Sequence, residues 1–197
     1  MTSPFNKALT AIDAAHALDP KIITAPDGKE IAYELHYANK MTHFLSQRDP
    51  AASEALKLAI RAQHFRRWEI PRAEYPMTKL GYFSWRNALK KRQAEHVERI
   101  CVEAGYSAGD AERVAALVRK EDLRNDAETQ ALEDVACLVF LDDQFEEFEK
   151  GLEDEDKVIG ILRRTWAKMT EDGRRLALEI QMGERPKAVL AKALAGA

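Results

Sequence analysis

A chain of 197 residues, 46% hydrophobic and 32% charged, is long enough for one domain with a sizeable core. Its net charge of -3 gives no general pull towards nucleic acid or an anionic membrane, and apolar runs such as Val135 to Leu141 fall far short of the roughly 20 residues of a membrane span. Cys101 and Cys137 are too few for a disulfide framework and lack CxxC spacing, and no basic-then-apolar leader follows Met1, so both read as reduced thiols of a cytoplasmic protein.

Ser3 followed by Pro4 predicts a helix start, and Phe5, Leu9 and Ile12 recur on one face until Asp19-Pro20. Residues 21–29 predict a loop with turn chemistry at Pro26-Asp27-Gly28. Ile31, Leu35, Ala38 and Leu45 mark a second helix ended by Asp49-Pro50. A third helix is expected from Ala51 to Trp68, broken before Pro71. The stretch Ile70 to Gly81, with its two prolines, reads as a functional loop on composition. A long helix from Tyr82 to Ala104 closes at Gly105. Ser107 caps a helix from Ala108 to Lys120, and another runs from Asp126 to Phe148. The acidic run Asp142 to Asp156 reads as a solvated helix end and linker. Helices are expected again over Asp156–Met169, Glu171–Gln181 and Pro186–Ala195. No segment sustains two-residue alternation, so the expectation is all-α without a sheet, a helical core over 1–150 with an extension over 151–197 packed on the same domain.

Two strings stand out chemically. Gln63-His64-Phe65-Arg66-Arg67-Trp68-Glu69-Ile70-Pro71-Arg72 is joined by a short loop to Gly81-Tyr82-Phe83-Ser84-Trp85-Arg86. Arginine offers a rigid fork matched to phosphate, and tryptophan or tyrosine offers a face for a planar ring. Arg66, Arg67, Arg72, Tyr82, Trp85 and Arg86 are therefore candidates for binding a phosphorylated small molecule, and Lys120, at the basic end of the stretch from Val114, is a further candidate phosphate contact. The alternative is that the rings pack the loop onto the core while the arginines reach water or bridge acids. Binding to RNA is disfavoured, because no wide basic surface accompanies these residues.

The motifs Glu34-Leu35-His36-Tyr37-Ala38, QHFRRW with IPRAEYP, GYFSWR and LEDVACLVFL together resemble a bacterial and fungal family known only as domain of unknown function 4202. More distantly, the intervals between His36, His64 and Asp134 resemble the HD-domain phosphohydrolases. Their helical core carries a histidine, a His-Asp pair closing an apolar helix, and a later aspartate. That resemblance implies an HD-like core in which His36, His64 and Asp134 hold a divalent transition metal (Mn, Fe, Co, Ni or Zn) that activates water against a phosphate. His43 and Glu133 are competing ligands, and His96 and Glu133 are candidates for proton transfer. Two positions depart from the pattern. Phe65 stands where the family has aspartate, and the stretch before the final aspartate helix ends in Arg119-Lys120, which suits an anion better than a metal. Two expectations follow, a metal-dependent phosphohydrolase of phosphorylated small molecules or a metal-free ligand-binding or protein-interaction domain with a degenerate site.

Overall fold

The Ser3 hydroxyl accepts a hydrogen bond from the Asn6 amide at 3.3 Å, and Pro4 occupies the first turn, so α1 (Pro4–His16) begins where the sequence predicts. The structure is a computed structural model describing residues 2–25, 27–151 and 154–195. Among these residues ten α-helices form the body of the fold, and the chain is all-α in class.

One small sheet corrects the helical expectation. Ile22–Thr24 (β1) pairs antiparallel with Glu30–Ala32 (β2), with Ile23 opposite Ile31. Three-residue strands are too short to display a period of two, which is why the sequence reads as a loop. Gly28 turns the hairpin at φ 83°, while Pro26 of the predicted turn lies outside the described residues. The Tyr33 amide bonds the Lys21 carbonyl at 2.8 Å, so the hairpin feeds directly into α2 (Tyr33–Arg48).

Ser53 caps α3 (Glu54–Arg61), which stops well before Trp68, the predicted end. The cause is long-range. The Glu34 carboxylate of α2 accepts the amides of Arg66 at 2.9 Å and Arg67 at 2.6 Å, and His64 (φ 64°) and Arg66 (φ 48°) turn left-handed to deliver them. Two 3-10 turns follow, Arg67–Glu69 and Arg72–Glu74. Thr78 then caps α4 (Lys79–Ala104), slightly earlier than Tyr82. Gly81 is required there, since a Cβ would lie 2.1 Å from the Pro76 carbonyl oxygen.

Gly105 (φ 107°) and the Ser107 cap fold α5 (Ala108–Arg119) back along α4. Asp126 caps α6 (Ala127–Val139), which widens into a π-turn at Phe140–Gln144 before α7 (Phe145–Lys150), where one continuous helix is predicted. The widened turn aims consecutive acids at α2: Lys40 donates to Asp142 and His36 to Asp143, both at 2.7 Å. The first two acids of the predicted solvated run are therefore partly buried, Asp142 in an ion pair with Lys40 and Asp143 hydrogen-bonded to His36. α8 (Glu155–Lys168), α9 (Glu171–Glu179) and α10 (Glu184–Leu194) complete the array. Val158, Leu162, Leu176 and Val189 join the same core as Ile12, Met41, Leu58, Val97 and Leu132. No helix among the described residues is long and apolar enough to cross a membrane.

Candidate functional site

Glu34 organises the site from beneath. It is buried, and besides the two loop amides it meets His16 Nδ1 at 3.1 Å, while His16 Nε2 meets the Arg61 carbonyl at 2.9 Å. Burial raises the Glu34 pKa, an effect that these hydrogen bonds oppose. The left-handed step at His64 sends consecutive side chains in opposite directions. Phe65 enters the core, 3% exposed, with its ring edge-on to His16 at 5.5 Å. His64 stays at the surface side, stacked on buried Tyr37 at 4.0 Å between centroids.

A cleft of about 380 Å³ opens over this turn, within the size range of small-molecule sites. The candidates His64, Arg67, Arg72 and Trp85 all line it. Trp85 is a support rather than an exposed platform: it is 5% exposed, donates to the Ile70 carbonyl at 2.9 Å, and carries the Arg67 guanidinium 4.8 Å above its ring with Arg72 at 6.0 Å. Arg72 also donates to the carbonyls of Tyr75 and Pro76, both at 2.8 Å, which folds the loop around it. Trp68 is the other indole of the lining and is only partly buried.

The sequence reading missed the opposite wall, Asp19, Lys21, Tyr33 and Gln144. Lys21 and Tyr33 meet only because the hairpin closes there, with Lys21 Nζ 3.7 Å from the Tyr33 ring centroid. A hairpin signal around Asp27-Gly28 was the one available clue. Burial pushes the Tyr33 hydroxyl up to about 12, so it remains a neutral donor to Asp143 and accepts from Gln144.

The charges of the cleft are unevenly matched. Asp19 accepts the amides of Lys21 and Glu34, both at 2.9 Å, and Glu34 is occupied as described. Lys21, Arg67 and Arg72 have no carboxylate partner among the described residues. Arg67 Nη1 instead donates to His64 Nε2 at 2.7 Å. Loss of water around His64, then the charges of Arg67, Arg86 and Lys120, hold its pKa well below the ordinary histidine range, so the ring is neutral and its Nε2 lone pair is occupied.

His36, His64 and Asp134 do not assemble as a ligand set. Asp134 is fully buried and accepts from Arg48 Nε at 2.8 Å, from the Thr170 amide at 2.9 Å and from the Thr170 hydroxyl at 2.5 Å. Arg48 ends α2, roughly 18 Å of helix beyond His36. His36 pairs instead with Asp143, about 13 Å along the α6 axis from Asp134. No group of three His, Cys, Asp or Glu side chains that could hold a metal ion occurs among the described residues. The donor set does not fit a divalent ion.

The other candidates lie outside the cleft lining. Arg66 pairs with Glu69 at 2.6 Å, and Tyr82 is 45% exposed against Phe83 and Trp85. His96 accepts from Arg99 at 2.7 Å; burial and then the Arg99, Arg92 and Arg66 charges lower its pKa. Glu133 meets Lys120 at 2.6 Å and Lys168 at 3.5 Å. Arg86 is half-buried near His64. His43 lines a separate groove of about 560 Å³ beside β2 with His36 and Lys40, both already paired with the π-turn acids.

Fold and cleft together define an all-α domain with one core and a cationic cleft beneath a tryptophan-anchored loop. The chain belongs to the family described as Domain of unknown function (DUF4202), whose profile matches residues 6–190. No curated protein and no solved structure shows a significant match.

Proposed function

We propose that this protein binds a phosphorylated, ring-bearing small molecule in the cleft, using its own cations in place of a metal. One observation carries the reading: the cations facing the cleft lack carboxylate partners, whereas both acids lining it are engaged by backbone amides. Partly desolvated guanidiniums without counter-ions are stabilised by an entering anion, and charge-assisted contacts to phosphate are among the strongest a cleft can make. Trp68 supplies the face for the ring, and His64, neutral in the free protein, would donate or accept at the phosphate once Arg67 turns towards it. The HD resemblance points to the same ligand class by a different route; this reading keeps the phosphate and leaves out the metal.

The test is calorimetric titration of AMP and ATP in EDTA, with Arg67→Met and Lys21→Ala as variants. Binding should persist in the chelator, and Arg67→Met should weaken it by more than about tenfold, the loss of one charge-assisted contact. The methionine stem still covers Trp85, so the unfolding midpoint should move little. Binding or turnover that appears only with added Mn or Ni, or affinity unchanged by both variants, would overturn the reading.

A further inference from the structure

Beyond His64 the positive charge continues into the helical body. Arg86 and Lys90 are half-buried one turn apart on α4, and so share a face. Lys120 closes α5 in a left-handed conformation (φ 58°) and puts Nζ 2.6 Å from Glu133 Oε2, while Lys168, the last residue of α8, approaches Glu133 Oε1 at 3.5 Å. These groups feel one another. Arg86 and Lys120 both act on His64, and the Lys90 pKa is lowered by burial and then by Lys120 and Arg86, against a weaker opposing effect of Glu133.

Among the described residues neither Arg86 nor Lys90 has a carboxylate within ion-pair distance, and Lys120 and Lys168 share Glu133. Burial pushes its pKa up, but Lys120 and Lys168 outweigh that and bring it down to about 2, so it is ionised at neutral pH. The next acid on α6, Asp134, is held by Arg48 and Thr170. Four cations therefore share one carboxylate, and three of them, Arg86, Lys90 and Lys120, are partly withdrawn from water. Such an arrangement is unfavourable for the empty protein and complementary to a multiply charged anion.

We infer that Arg86, Lys90, Lys120 and Lys168 form a second anion subsite continuous with the cleft at His64, so that the ligand is a polyphosphate ester of the nucleoside di- or triphosphate type. Arg86 is the link, since it directly follows Trp85, which lines the cleft, and stands one helical turn before Lys90 on α4. The ring-side phosphate would meet Arg67, and the terminal phosphates the lysines of α4 and α5. The inference rests on the cleft reading above for the ring, but the subsite needs only phosphate.

The experiment is titration with AMP, ATP and inorganic tripolyphosphate in EDTA, using wild type, Lys90→Met and Lys168→Ala. Lys168 has a side chain 57% exposed, so its removal keeps the test valid should Lys90→Met fold poorly. ATP should bind more than about tenfold tighter than AMP. Lys90→Met should abolish that preference, with AMP affinity unchanged and tripolyphosphate weakened at least about tenfold; Lys168→Ala should give a smaller loss in the same direction. Equal affinity for AMP and ATP, or ATP and tripolyphosphate affinities unaffected by either variant, would sink the subsite while leaving the cleft reading intact. Tripolyphosphate binding that depends on Lys90, with neither nucleotide bound, would uphold the subsite and defeat the cleft reading.

Discussion

At residue scale the decisive position is Phe65. The HD pattern would place a carboxylate there, but the left-handed His64 sends the next side chain into the core against His16, 3% exposed. Aspartate at 65 would put a carboxylate in the core, where burial of an unpaired charge costs several kcal/mol unless the group is neutralised. We expect Phe65→Asp to lower stability by at least about 3 kcal/mol in urea unfolding, since large core truncations alone cost that much, and to bind no Mn or Ni. A folded variant with stoichiometric metal by mass spectrometry would contradict the geometry. The sequence carries the residues of this site but not their pairings. Arg67, Arg72 and Trp85 stand out in sequence because arginine and aromatic side chains cluster within one short stretch, whereas His64 is expected as a metal ligand. Lys21 and Tyr33 do not stand out, because their approach depends on a hairpin of three-residue strands, and Glu34 does not, because its partners lie 32 and 33 residues away.

At element scale, helix starts were readable at the side-chain caps Ser3, Ser107 and Asp126, while the caps Ser53 and Thr78 lie a few residues from the expected starts at Ala51 and Tyr82. Ends fixed by distant partners, such as that of α3, were not readable. Asp134 shows the same limit. Its apolar surroundings mark it as buried, but its role is to join α2 to α9 through Arg48 and Thr170. Gly173 belongs to that junction, because a Cβ there would stand 2.7 Å from Asp134 Cγ. Asp134→Ala should therefore cost about 3–5 kcal/mol, as it leaves the mostly buried Arg48 with the Thr170 hydroxyl at 3.4 Å and Asp172 at 3.9 Å. Gly173→Ala alone should destabilise by overpacking, roughly 1–3 kcal/mol. In the Asp134→Ala background the added methyl gains space, and alanine is the better helix former, so the same substitution should be neutral or stabilising. The double-mutant cycle in urea checks this. Additive costs would mean that the two residues are not in contact, and a chelator-dependent effect of Asp134→Ala would point back to a metal.

At the scale of the whole molecule, the question is whether residues 151–197 unfold with the rest. Their helices contribute Leu162, Met169, Leu176 and Leu190 to the same core as α1 to α6, and Thr170 closes on Asp134 across it. A chain packed around one such core should unfold in one step. The three tryptophans can report on this, because Trp68 and Trp85 sit at the cleft while Trp166 lies in α8 beside Arg174. Trp166→Phe leaves only the cleft indoles, and Trp68→Phe with Trp85→Phe leaves only α8. Within each variant the fluorescence midpoint in urea should coincide with the far-ultraviolet dichroism midpoint, which removes the destabilisation of the replaced ring from the comparison. The Trp85 replacement forfeits the Ile70 hydrogen bond and a support for Arg67, so the absolute midpoint should fall while the coincidence remains. If Trp166 reported an earlier transition than the helical signal, the C-terminal helices would be a separable unit. Asp134 would then lose Thr170 and keep Arg48 before the core opens, and the strong coupling expected between Asp134 and Gly173 would vanish.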